Sequence, residues 1–163
     1  MRTRTAGFLI GAAAFALIAD VATKAWAEAA LVRHAPAPVL GDAFWLTLGY
    51  NPGVAFGFFP AGGHWVLLLT GVAILALGAW LIHHLRTDEA RPWAAVPVGL
   101  LLGGALANFV DRLGDGVVTD FLDLGLGTAR WPTFNLADTF ITLGVLYLLF
   151  LTQRSDRSAE AHS

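Results

Sequence analysis

"GVVTDFLDLGLGTARWPTFNLADTF", residues 116–140, sets three aspartates, Asp120, Asp123 and Asp138, between two long apolar runs. The surrounding chain is 56% hydrophobic and only 13% charged. A carboxylate close to lipid is costly unless something uses it. Acids gathered where the chain re-enters an apolar run therefore mark a boundary between two environments. Outward from this stretch, four windows, roughly 7–26, 65–82, 94–111 and 134–152, approach the ~20 apolar residues that cross a bilayer. The mean hydropathy of +0.64, with 18 Gly and 6 Trp, points the same way. A length of 163 residues allows one domain. We read residues 1–152 as a single integral membrane domain and 153–163, "QRSDRSAEAHS", as a disordered polar tail.

Orientation follows from Lys and Arg near the span ends. Arg2 and Arg4 precede the first window, Arg86 and Arg91 separate the second from the third, and Arg154 and Arg157 follow the fourth. These put both termini on the cytoplasmic side. The opposite loops, roughly 27–64 and 112–133, hold only Arg33, Arg112 and Arg130, so the aspartates of the opening stretch face outward. Arg2, Arg4 and the Ala25-Trp26-Ala27 string imitate a cleavable signal peptide, but Asp20 and Lys24 interrupt the segment just before that site. The first span is expected to be retained.

The first outer loop begins with an extended, Pro-rich "HAPAPVLGD". Phe44–Tyr50 and Val54–Phe59 then read as two strands about an Asn51-Pro52-Gly53 turn. The second outer loop has a β-branched start at Val117-Val118-Thr119.

Composition removes most chemistries. Ser155, Ser158 and Ser163 are the only serines, all in the cytoplasmic tail, and Lys24 is the only lysine, so no serine triad or Ser-Lys dyad can form outside. There is no cysteine, and His34, His64, His83, His84 and His162 form no H-E-x-x-H pair, which argues against zinc. No Walker loop occurs, and a net charge of −2 offers no basic surface for nucleic acid. The expected complement of metals and cofactors is none.

Polar residues at the span ends remain. Asn108, Asp111 and Arg112 close the third span in "GGALANFVDRL", which by itself suits a polar helix end with a snorkelling arginine. Asp20 and Lys24, four apart with the acid first, suit a structural ion pair. Asn135 and Asp138 suit an N-cap and the third helical residue, with the acid favoured by the helix dipole. Capping does not account for Asp120, flanked by Val118, Thr119, Phe121 and Leu122. Two neighbouring carboxylates share one proton, and such a dyad can activate water with its ionised member while the protonated one polarises a peptide carbonyl.

Five ordered segments, "DVATKAW", "NPGVAFGFF", "GGALANFVDRL", "GVVTDFLD" and "FNLADTF", resemble lipoprotein signal peptidase, or signal peptidase II, the aspartic peptidase family of bacterial membranes. The resemblance covers nearly the whole chain. It implies that Asp120 and Asp138 are catalytic, that Asn51, Asn108, Asp111, Arg112 and Asn135 line or support the site, and that Asp20 and Lys24 form a structural pair. Thr119 stands where valine is common in the family. The implied fold is an all-α membrane protein, a bundle of four transmembrane helices with a small extracytoplasmic β-cradle and a short surface helix. The implied reaction removes the signal peptide of a diacylglyceryl-modified prolipoprotein, on the N-terminal side of the lipidated cysteine. Prolipoprotein and membrane lipid are the expected partners, with the protein acting as a monomer in the bacterial cytoplasmic membrane and its site at the outer face. The rival reading is a small transporter or proton channel, but transport sites favour the bilayer midplane, and here Asp111, Asp120 and Asp138 fall at one face.

Overall fold

The computed structural model describes residues 2–53, 63–86 and 94–160. Four helices and a small sheet follow in the order α1 (Arg2–Ala30), β1 (Ala37–Leu40), β2 (Phe44–Asn51), α2 (Gly63–Arg86), α3 (Ala95–Asp115), β3 (Val118–Leu126), β4 (Ala129–Arg130) and α4 (Leu136–Glu160). The helices coincide with the four apolar windows and run past each at its C-terminal end. Two of them, α1 over Thr3–Ala30 and α3, are long and apolar enough to cross a membrane by length and composition, while the apolar stretches of the other two, Trp65–Leu81 and Leu136–Leu151, are shorter.

The usual arrangement of side chains is inverted. Asp20, Lys24, Arg112, Asp120, Asp123 and Asn135 are buried, whereas Phe8, Ile18, Leu75, Leu146 and Phe150 are exposed along the helices. In water such an apolar surface would drive association; against hydrocarbon it is matched.

Helix α3 is the centre of the bundle and packs on α1, α2 and α4. Glycine permits the approach. A Cβ on Gly99 would meet the Leu9 carbonyl oxygen at 2.5 Å, one on Gly103 would strike the Ala13 carbonyl, and one on Gly104 would meet the Ala137 carbonyl oxygen at 2.7 Å. Small residues at this spacing let helices close where no hydrophobic effect drives them together. At its end, Gly116 turns left-handed with φ 87° and donates its N–H to the Arg112 carbonyl, stopping α3 at Asp115.

The sheet is antiparallel, in the order β1-β2-β3-β4. β2 agrees closely with the expected Phe44–Tyr50 strand, but its neighbours are β1 and the distant β3. The expected partner, Val54–Phe59, lies outside the described residues. Register pairs Gly49 with Asp120, Leu46 with Leu122 and Phe44 with Leu124. Ala27, Leu48 and Phe121 form the cluster that docks the sheet on α1, and Trp26 meets Phe121 edge-on at 6.3 Å.

One expectation needs correction. The tail expected to be disordered from 153 onward is helical as far as Glu160. Once a helix is nucleated, each further residue adds at little cost, and nothing between 153 and 160 is Pro or Gly. The short surface helix implied by the resemblance is not among the elements of the described residues.

Candidate active site

Each acid is delivered by a different element. Asp120 sits at the third position of β3 and is 2% exposed; Asp138 occupies the first turn of α4. Asn135 ties them together. Its Oδ1 accepts the Asp138 backbone N–H at 2.9 Å as an N-cap, and its Nδ2 donates to Asp120 Oδ1 at 2.8 Å. The capping role and a place in the site are thus the same geometry.

Helix α3 supplies the next layer. Asn108 donates its Nδ2 to Asp138 Oδ1 at 2.8 Å, while its Oδ1 accepts from Lys24 at 2.8 Å and from Asn135 at 3.1 Å. Lys24 also pairs with Asp20 at 2.7 Å and with Asp111 at 3.0 Å. Asp111 accepts the Thr119 backbone N–H at 2.9 Å, and Asp20 accepts the Ala137 N–H at 2.8 Å. The first-span pair is therefore more than an intrahelical contact: Asp20 holds the start of α4, and Lys24 holds α3. Arg112 donates to the Gly53 carbonyl at 2.6 Å, fixing the chain just after Asn51. Asn51 accepts the Gly53 N–H at 2.9 Å and hydrogen-bonds Asp120.

Burial, followed by the charge of Asp138, pushes the Asp120 carboxyl up to about 7, against the pull of hydrogen bonds from Asn51 and Asn135 and of the Lys24 charge. An acid raised this far is protonated at neutral pH in a large share of molecules and can donate a proton. All nine site residues expected from the sequence, Asp20, Lys24, Asn51, Asn108, Asp111, Arg112, Asp120, Asn135 and Asp138, belong to this one network.

Asp123 and Arg130 tell a different story. Asp123, which the sequence left without a role, is buried, pairs with Arg130 Nε at 2.9 Å and accepts from Thr47 Oγ1 at 2.7 Å. Residues three apart on a strand point to opposite faces, so Asp123 is turned away from Asp120. Arg130, counted above only as a loop arginine, also donates to the Asp42 carbonyl at 2.6 Å and stacks over Trp45 at 3.9 Å. Thr119 is a further omission: its Oγ1 donates to Glu28 at 3.0 Å, a bond that valine could not make.

A family model described as signal peptidase (SPase) II matches residues 12–153. The chain belongs to the signal peptidase II family. Lipoprotein signal peptidase of Pelotomaculum thermopropionicum is 38% identical over 154 residues, covering 94% of this chain and 97% of the relative. That of Syntrophus aciditrophicus is 39% identical over 145 residues, covering 87% and 89%. A solved structure of a bacterial membrane enzyme, obtained by the in meso method at 2.3 Å resolution, matches with a TM-score of 0.81 at 28% identity, covering 92% of this chain and 90% of the other. For signal peptidase II, the buried acids and their amide donors are thus carried on a fold shared with a membrane enzyme.

Proposed function

We infer that this member of the signal peptidase II family removes the signal peptide from prolipoproteins by aspartic catalysis, with Asp120 and Asp138 as the catalytic pair. One observation carries the reading: two buried carboxylates on separate elements are joined through Asn135, and one of them is raised to about 7. Asp138, ionised, takes a proton from the attacking water. Asp120, protonated, donates to the carbonyl oxygen of the scissile peptide bond. Collapse of the tetrahedral intermediate returns a proton to the departing amine and restores the pair. Substrate is a diacylglyceryl-modified prolipoprotein cut before its lipidated cysteine, which the lipid keeps at the depth of the acids.

The chain crosses the bacterial cytoplasmic membrane four times as a monomer, with residues 1–152 as its catalytic domain and both termini inside. Supporting this, the polar ends of α1, α3 and α4 and the sheet all lie at the site end. Transport is less favoured, because the apolar stretch of α2, Trp65–Leu81, carries no charge and the acids lie at one end of the bundle.

The test incubates purified protein with a lipidated prolipoprotein and its unlipidated form. The wild type is expected to cut only the former. Asp120→Asn and Asp138→Asn should each lose roughly 10²–10⁴-fold in rate, the usual contribution of acid–base catalysis, and the double variant should be scarcely worse, since the pair acts as a unit. Near-normal cleavage by Asp138→Asn would reduce Asp138 to a capping acid and end the aspartic mechanism.

A further inference from the structure

Asn108 has two ends that chemistry treats oppositely, and in this site only one orientation works. Its amide oxygen receives Lys24 Nζ at 2.8 Å and Asn135 Nδ2 at 3.1 Å, so its amide nitrogen is turned onto Asp138 Oδ1 at 2.8 Å. An ammonium can only donate. Reversing the Asn108 amide would set N–H against N–H at Lys24 and oxygen against carboxylate at Asp138. Lys24 is itself closely surrounded: it is 5% exposed, hydrogen-bonds Asn108 and forms ion pairs with Asp20 and Asp111.

We propose that Lys24 is a positioning residue for peptide cleavage, holding the Asn108 amide so that its N–H faces Asp138 and keeps that carboxylate the anionic member of the pair. This rests on the aspartic reading above. Charge alone does not single out Asp138, because the Lys24 ammonium lies within electrostatic reach of Asp120 and Asp138 alike. From α3, Arg112 lies within electrostatic reach of Asp120, Asp111 and Asp138, with Asp120 first, so it favours a charged Asp120. From β2, Asn51 hydrogen-bonds Asp120 as well, and from the start of α4 so does Asn135. Asp138 faces the Asn108 amide and the Asn135 backbone, and of these two donors the one that can turn is Asn108, whose oxygen is held by Lys24 at the shorter distance and by Asn135. An amide donor stabilises the ionised form of the carboxylate it faces.

The experiment separates orientation from charge. Lys24→Gln and Lys24→Met are each made in an Asp20→Asn background, so that the two double variants carry equal charge and fill similar volumes. Glutamine can still donate to Asn108 Oδ1; methionine cannot. With folding followed by thermal unfolding in detergent, the glutamine variant should stay within about tenfold of its Asp20→Asn parent in kcat. The methionine variant should lose roughly 10²-fold in kcat, the scale of a misplaced catalytic group, with KM little changed and the acidic limb of its pH profile moved upward. If both doubles showed the same kcat and the same limb, Lys24 would be a structural residue only.

Should the methionine variant fail to fold, Asn108→Asp answers in its place. It keeps an oxygen for Lys24 but presents a second oxygen to Asp138, and a normal kcat and acidic limb there would overturn the proposal. Asp138→Asn is run alongside. If it cleaves normally, the aspartic reading falls; if it is inactive while the two doubles coincide, only the role of Lys24 falls.

Discussion

At the scale of single residues, Asp120 makes the sharpest demand on pH. Its folded value of about 7 lies well above the ordinary 3.8. The folded chain thus keeps a proton that the unfolded chain has released, and stability falls as pH rises through that window. The loss is complete above about 7 and absent below about 3.8. Asp120→Asn removes the titration. Its thermal midpoint should exceed that of the wild type at about pH 8 and match it at about pH 4, read by thermal unfolding in detergent. Equal offsets at both pH values would place the retained proton elsewhere. Asp120 was legible as an acid without an excuse among apolar neighbours, and Asp138 as the third residue after a capping Asn135. Asp123 was not legible. Its partners Thr47 and Arg130 come from β2 and β4, and that meeting depends on a register no local pattern announces. Asp123→Asn should therefore lower stability by about 1–3 kcal/mol, the cost of an orphaned buried donor, while the rate per folded molecule stays near wild type. A thermal midpoint unchanged by the substitution would show that the Arg130 contact holds nothing together.

Among the elements, the helices were visible as apolar windows and β2 as an aromatic strand, because both patterns are local. Non-local pairing was not. Within the first outer loop β2 pairs with β1, a neighbour that a local reading can reach, but its other partner is β3, more than sixty residues on. Glycine was equally silent: composition counts 18 of them without saying which meet a neighbouring helix. Gly103 faces Ala13 of α1, whereas a Cβ on Gly78 of α2 would meet nothing within 4 Å. Gly103→Ala should force α1 and α3 apart and cost about 1–3 kcal/mol. Gly78→Ala should be neutral or gain up to ~1 kcal/mol through helix propensity. Activity should follow the same order, since the Lys24–Asn108 bond bridges α1 and α3. Thermal unfolding and cleavage rates on the two variants decide it, and equal behaviour would mean that the helices do not close at Gly103.

For the whole molecule, the question is how the bundle sits in the bilayer. Exposed Trp65 and Trp80 lie about 22 Å apart along α2 at ~1.5 Å per residue, short of the ~30 Å hydrocarbon thickness of a typical bilayer. The shorter apolar stretches, Trp65–Leu81 and Leu136–Leu151, fall near the lower limit for a span, and a locally thinned bilayer accommodates such lengths at modest cost. With Asp20 and Lys24 toward the end of α1, Asn108 and Asp111 toward the end of α3, and Asp138 at the start of α4, an up-down arrangement brings all of them to one face only if every helix crosses. On the topology proposed above, the arginine pairs at the opposite ends put that face outside. Thr128, exposed at the β3–β4 turn, and Gln153, exposed on α4 beyond its apolar stretch, then lie on opposite sides. In intact cells, Thr128→Cys should react with a membrane-impermeant thiol reagent and Gln153→Cys should react only after permeabilisation; the chain has no cysteine of its own to confuse the readout. Labelling of Gln153→Cys from outside would mean that α4 does not cross or that the bundle is inverted, and either outcome would take the acids away from the face where a secreted prolipoprotein arrives.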